Sequence, residues 1–242
     1  MADDLYRYDA EAGLRPAVSY AEARPLVQWT YVWMVLGLIV TSIVAYLTAN
    51  TDAMLNLLLQ PGVMIGAIIA QLVLVVALSW AMPRLSAGVA ALMFVVYSAL
   101  NGFTLSVLLL VYTQTSITTA FLTTVGLFGA LTIFAFTTQM DLTRWQNYLF
   151  IGLIGLLIAS VINIFMASSA LEWLVSIAGV LIFTGLTAVD TQKLKRLAAS
   201  PTEYQANGSP VAKMSIFMAL ELYLDFVNLF IFLLRLLGSG RD

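Results

Sequence analysis

Long apolar runs, each ended by a short polar or helix-stopping cluster, recur along the 242 residues of this chain. They fall at about Val27–Ala49, Gly62–Met82, Ala87–Tyr112, Ile117–Thr138, Asn147–Ala167, Leu171–Val189 and Met214–Leu237. Each is close to the ~20 mainly apolar residues that a helix needs to cross a bilayer. The breaks read TANTD, Pro83–Arg84–Leu85–Ser86, TQTS, QMDLTRWQN and SSALE, which is the chemistry of turns and caps. The pattern predicts an all-α integral membrane protein with seven transmembrane helices: residues 1–26 an N-terminal tail, 27–238 the membrane domain and 239–242 a C-terminal tail. SSALE is so short that the fifth and sixth helices should form an antiparallel hairpin. The stretch from Lys193 to Lys213, containing SPTEYQANGSP, reads as the one long, mobile loop.

Composition agrees. With 61% hydrophobic and 10% charged residues and a mean hydropathy of +0.95, the chain takes a lipid bilayer as its surroundings. A net charge of -2, with basic residues scattered between helices, argues against a nucleic-acid partner. With the N-terminal tail inside, the inner loops hold Arg84, Arg144, Lys193, Lys195, Arg196 and Lys213 while the outer loops hold no Lys or Arg, so a cytoplasmic N-terminus is expected. Arg235 and Arg241 then fall on the outer side. A re-entrant last segment would put the C-terminus inside instead; the length of Met214–Leu237 favours a full span.

The chain has neither Cys nor His. Thiolate catalysis, disulfides and Cys or His metal sites are therefore absent, and any pH response near neutrality falls to carboxylates. No phosphate-cradling loop, HExxH, GxSxG or dinucleotide fingerprint occurs. Asp190 and Asp225 meet the count of an intramembrane aspartyl protease, but AVDTQ and YLDF do not resemble its motifs. No enzyme and no cofactor is expected.

Three carboxylates remain. Glu221 and Asp225 lie inside the last apolar run and, with Asn228, follow i, i+4, i+7 spacing on one face of its helix. An ionisable group at membrane depth marks a functional site by default. Asp190 closes the sixth run just before Thr191, Gln192 and Lys193, shallower than Asp225. If the two approach each other, they share a proton or attract a hard cation such as Ca²⁺, for which Asp190 and Asp225 are weak ligand candidates. Gln71, Asn101, Gln139 and Asn163 read as packing amides, and Gly66, Gly102, Gly126, Gly129, Gly152 and Gly155 as small residues for close helix contact. Arg84, Arg144 and the Lys193–Arg196 cluster set topology and touch anionic lipid, and one of them is a candidate to pair with an inner carboxylate and hold a pore closed; Arg84, placed by Pro83 directly after the second helix, is the preferred one.

The run ALELYLDFVNLFIFLLRLLG, Ala219 to Gly238, together with FTGLTAVDTQKLK, Phe183 to Lys195, closely resembles the signature of the transmembrane Bax inhibitor motif family, bacterial type. That resemblance implies a bundle in which the last helix is central and wrapped by the other six. It also implies two Asp residues on the sixth and seventh helices, by position Asp190 and Asp225, acting as a pH-sensing pair in a Ca²⁺ leak pathway. Val189 stands where the family commonly has Tyr, and Glu221 where a small or uncharged residue is common. Bacterial members are also linked to stress responses and to a membrane-anchored AAA protease. The expectation is thus a pH-sensitive Ca²⁺ leak channel of the inner membrane, with Asp190, Asp225 and Glu221 as its sensing groups, Arg84 as latch, and protons and Ca²⁺ as partners. Its rivals are a regulatory protein that binds a membrane protease and a proton-coupled carrier.

Overall fold

The computed structural model of the chain describes residues 20–199 and 211–240. The N-terminal tail up to residue 19 and the loop of residues 200–210 lie outside the described residues, as do residues 241–242. The helices are α1 (Tyr20–Asn50), the short α2 (Asp52–Leu58), α3 (Pro61–Ala81), α4 (Ala87–Val111), α5 (Gln114–Thr137), α6 (Gln146–Met166), α7 (Ser169–Ala199) and α8 (Val211–Leu237). Seven of these are long and apolar enough to cross a membrane. The protein is an all-α, multi-pass membrane protein.

Local chemistry sets the helix ends. Pro61 occupies the first turn of α3, where its missing N–H costs nothing. Ser86 and Thr113 cap α4 and α5, their hydroxyls accepting from Val89 N at 3.3 Å and Ser116 N at 3.2 Å. Between α6 and α7 only Ala167 and Ser168 intervene; Ala167 adopts the left-handed conformation (φ 47°) and Asn163 Oδ1 accepts from Ser168 N at 3.1 Å. That turn closes the expected hairpin, and α6 packs against α7. Thr30, Thr124 and Thr187 return their hydroxyls to carbonyls of the previous turn and so are satisfied where lipid offers no water, whereas Thr48 Oγ1 and Thr191 Oγ1 are buried without a hydrogen-bond partner among the described residues.

The last helix is the centre of the bundle. In α8, 67% of the most apolar stretch is buried, against 11% in α3 and 6% in the span ending with α6. Its main contacts are with α1, α4, α5 and α7. Four helices rather than six therefore wrap it, because α3 packs mainly on α4 and α6 mainly on α7, leaving both with broad lipid-facing surfaces. Tyr223 sits fully buried where α1, α4 and α8 meet. Its hydroxyl is 2.6 Å from Thr41 Oγ1, which donates onward to Ser98 O at 2.9 Å, and its ring meets Phe94 and Tyr97 edge-on.

Three boundaries differ from the sequence reading: α1 begins at Tyr20, inside the expected tail of residues 1–26, and the other two are the end of α7 and the start of α8. The sixth helix does not end at Val189: α7 continues to Ala199, and α8 begins at Val211, so the loop shrinks from both sides. After α8, Ser239 O accepts from Thr113 N at 3.3 Å and Ser239 N donates to Ser116 Oγ at 2.9 Å. The last described residues thus lie at the α4–α5 turn, across the bundle from where α8 starts, as a full span and not a re-entrant segment requires.

Of the glycines expected at close contacts, Gly102 is at one: a Cβ there would strike the backbone oxygen of Thr41 on α1. A Cβ at Gly152 would press on Ile182 Cδ1 at 3.3 Å, so that side chain would have to give slightly, while Gly66, Gly126, Gly129 and Gly155 face open space. Gly37 against Phe94 and Gly179 against Phe232, not singled out beforehand, are as crowded as Gly102. Overpacking such a contact costs about 1–3 kcal/mol, whereas a change in open space stays within about 0.5 kcal/mol. Gly102→Ala is therefore expected to lower the melting temperature of the detergent-solubilised protein by several degrees, with Gly66→Ala unchanged. A neutral Gly102→Ala would show that α1 and α4 do not touch through their backbones.

Candidate functional site

The carboxylates come together on the seam between α7 and α8. These helices run antiparallel, so residues three or four apart on each form successive rungs. Phe183 stacks on Phe232 with ring centroids 5.8 Å apart, Asp190 adjoins Asp225, and Lys193 Nζ bonds both oxygens of Glu221 at 2.6 and 2.8 Å. The close approach that permits this begins at Gly179, where a side chain would overlap the Phe232 ring.

The extension of α7 is what brings the pair into register. Had α7 stopped at Val189, Asp190 would lie at the membrane surface. Instead it stands nine residues before the end of α7, roughly 14 Å into the helix. Asp225 stands fourteen residues into α8, roughly 21 Å. Asp190 is half-buried and Asp225 only 4% exposed. Their carboxyls interact directly, yet Asp225 Oδ2 is buried without a hydrogen-bond partner. Three carboxyls and one ammonium thus share a seam within a low-dielectric bundle. Adjacent carboxyls in such surroundings cannot both carry charge cheaply, which makes a shared proton or a visiting cation the natural occupant.

Arg84 lies elsewhere. It is exposed at the foot of α3, with its guanidinium 5.9 Å from the Trp80 ring centroid, and α3 packs on α4 rather than α8. It forms no ion pair among the described residues, and the cation beside the carboxyls is Lys193. Nor do the described residues bring three or more acidic side chains into an arrangement that could hold a metal ion. The Asp190–Asp225 pair offers at most four oxygens, where Ca²⁺ takes six to eight.

One turn beyond the pair, α7 grips the loop between α5 and α6. Buried Gln192 donates from Nε2 to Met140 O and accepts at Oε1 from Leu142 N, both at 2.7 Å. Asp141 Oδ1 accepts from Thr143 Oγ1 at 2.6 Å and from Arg196 Nη2 at 2.5 Å. The Thr143 hydroxyl, with Arg196 beside it and slight desolvation opposing, holds the Asp141 carboxyl below the usual carboxylate range. Gln71 serves as expected, donating to Leu100 O at 2.8 Å and Thr104 Oγ1 at 2.9 Å across α3 and α4, while Gln139 is an exposed loop residue. The sequence does not single out Gln192, and it ranks Arg84 above the Lys193–Arg196 cluster, which supplies the actual partner of Glu221. The spacing of Gln192 and Lys193 from Asp190 within one amphipathic turn was the available signal.

A family model described as Inhibitor of apoptosis-promoting Bax1 matches residues 24–242. The chain belongs to the Bax inhibitor-1 family. It is 47% identical over 212 residues to the inner membrane protein YbhL of Escherichia coli (strain K12), covering 87% of this chain and 90% of that protein. A Deinococcus radiodurans protein is 41% identical over 222 residues, covering 91% and 93%, and a Streptococcus pyogenes membrane protein 42% identical over 182 residues, covering 75% and 76%.

In this Bax inhibitor-1 family member, the Lys193–Glu221 contact is partly exposed, at 31% and 22% of the side chains. A double-mutant cycle with Lys193→Met and Glu221→Gln is expected to give a coupling of about 1–2 kcal/mol, between the values for surface and buried pairs. Zero coupling in thermal melts would mean the pair does not form. For Asp141, the folded pKa lies below its ordinary value of 3.8. Its contribution is therefore complete above that pH and is lost as pH falls through the folded value. Amide protection in residues 138–145, measured relative to intrinsic exchange, should hold from neutrality down to about pH 4 and fall below it; Asp141→Asn should lower the protection above that pH and match the natural chain below it.

Proposed function

We propose that this Bax inhibitor-1 family protein is a pH-sensitive cation leak pathway, with Ca²⁺ as a permeant ion and Asp190, Asp225 and Glu221 as the groups that sense pH and meet the ion. The observation that carries this reading is the buried Asp225, with one carboxyl oxygen unpartnered, set directly against Asp190 in the centre of the bundle. A purely structural carboxylate at that depth would find a donor for each oxygen or give way to an apolar residue. A conduction site needs the opposite: oxygens that bind a passing ion weakly enough to release it.

Lys193 supplies the switching element in this reading. While Glu221 is ionised, Lys193 is held on it, one turn from Asp190. When the Asp pair loses its shared proton, its added negative charge competes with Glu221 for Lys193 and for any cation in the seam. Proton uptake reverses the competition. Arg84 joins this cycle only in a conformation that brings the foot of α3 towards α8. The inner membrane, with a cytoplasmic N-terminus, is the proposed location; the name of the YbhL relative and the one-sided distribution of Lys and Arg support it.

The test is Ca²⁺ entry into dye-loaded proteoliposomes across pH 5 to 8. The natural chain should show pH-dependent entry, and Asp190→Asn and Asp225→Asn should each flatten it; Glu221→Gln, which frees Lys193, should displace the midpoint. Identical pH profiles in the natural chain and both Asp variants would overturn the sensing pair. Absence of flux at every pH, with co-purification of a membrane protease, would favour the regulatory reading.

A further inference from the structure

A second polar constellation lies at the end of the bundle that carries the C-terminus. Tyr112, Asn163, Glu172 and Arg235, with Leu108 and Ile164, line an open-sided cavity of about 540 Å³. Glu172 precedes Asp190 on α7 by eighteen residues, roughly 27 Å of helix, so this cavity is separate from the carboxylate seam. Each charge suits its own helix end, an acid in the first turn of α7 and a base in the last turn of α8. Helix dipoles do not explain why the two face one cavity without closing on each other. No ion pair within 4.0 Å joins them, and Arg235 lies instead over the Phe232 ring at 5.6 Å. Tyr112 lies in the field of both charges. Asn163 has its Oδ1 engaged by Ser168 N, which leaves its NH₂ to donate.

We infer that this cavity binds a zwitterion, with a phosphate or carboxylate on Arg235 and a primary ammonium on Glu172. The guanidinium fork matches a phosphate or carboxylate in two parallel bonds. The Glu172 carboxylate accepts N–H donors, and Tyr112 and Asn163 add a hydroxyl and an amide to the anionic end. The volume is many times the ~30 Å³ share of one water and falls within the range of small-molecule sites. The cavity sits where the helices end, with Trp173, 59% exposed, beside Glu172 as an interfacial aromatic, and Ile164, 76% exposed, on its lipid-facing rim. The headgroup of an ethanolamine phospholipid meets these demands from the bilayer; free phosphoethanolamine presents the same chemistry from solution.

The test uses the full-length protein, delipidated in detergent and offered equal amounts of phosphatidylethanolamine and phosphatidylglycerol with the same acyl chains, read by native mass spectrometry. The natural chain should retain the ethanolamine lipid at least fivefold over the glycerol lipid. Glu172→Gln, an exposed and structurally mild change, should abolish that preference; Arg235→Gln should weaken retention of both lipids, and Arg235→Lys should restore part of it. Displacement by excess phosphoethanolamine would identify a soluble zwitterion as sufficient, and persistence of the lipid would identify the bilayer as the source. Equal retention of the two lipids by the natural chain, or a preference that survives Glu172→Gln, would overturn the site. Melting curves of each variant establish that it is folded.

Discussion

A buried charge in a dry bundle has to meet another polar group, and here the antiparallel contact of α7 with α8 arranges the meeting. Gly179 removes the side chain that would hold the helices apart, Phe232 fills the gap, and the rungs above it fall into register as Asp190–Asp225 and Lys193–Glu221. Shift that register by one residue and every partner turns to a different helix face. Lys193 would lose Glu221, and a partly buried carboxylate would be left unpaired. The rest of the bundle keeps the seam in place. Tyr223 ties α8 to α1 and α4 on the opposite face, and Gln192 anchors the C-terminal half of α7 to the α5–α6 loop.

The division between inner and outer helices follows from what lipid can and cannot do. Lipid tails are as apolar as Leu, so burying Leu against another helix gains little in a membrane, and α3 and α6 remain at the periphery with most of their surface outward. What holds helices together there is close packing and hydrogen bonds between polar groups. The Gly102–Thr41 approach joins α4 to α1, and Gln71 joins α3 to α4. The polar side chains accordingly gather on α8 and the helices touching it.

The two polar constellations divide the molecule's chemistry by depth. The carboxylate seam lies among buried side chains, where a proton or a cation changes the local balance strongly because little solvent screens it. The Glu172–Arg235 cavity lies at the helix ends, where charges are exposed and a ligand has to contribute its own charges to hold them. α7 and α8 thus carry polar groups at two levels for different physical reasons, and the apolar rungs around Phe183 and Phe232 separate them.

Hydropathy alone determined the seven spans, the short hairpin turn and the placing of Asp225 and Glu221 within the last span, because each of these depends on residues adjacent in the chain. The strings around Asp190 and Asp225 also carried the family resemblance. The end of α7 was not legible. Thr191, Gln192, Lys193 and Lys195 look like a stop signal to a window that sees only polarity, yet the helix runs on because Gln192 and Lys193 find partners in Met140, Leu142 and Glu221. The same holds for the glycines, where only the position of the neighbouring helix distinguishes Gly102 and Gly179 from Gly66 and Gly126. Composition and periodicity are properties of one helix. Which carboxylate meets which ammonium is a property of the register between two, and only tertiary packing decides it.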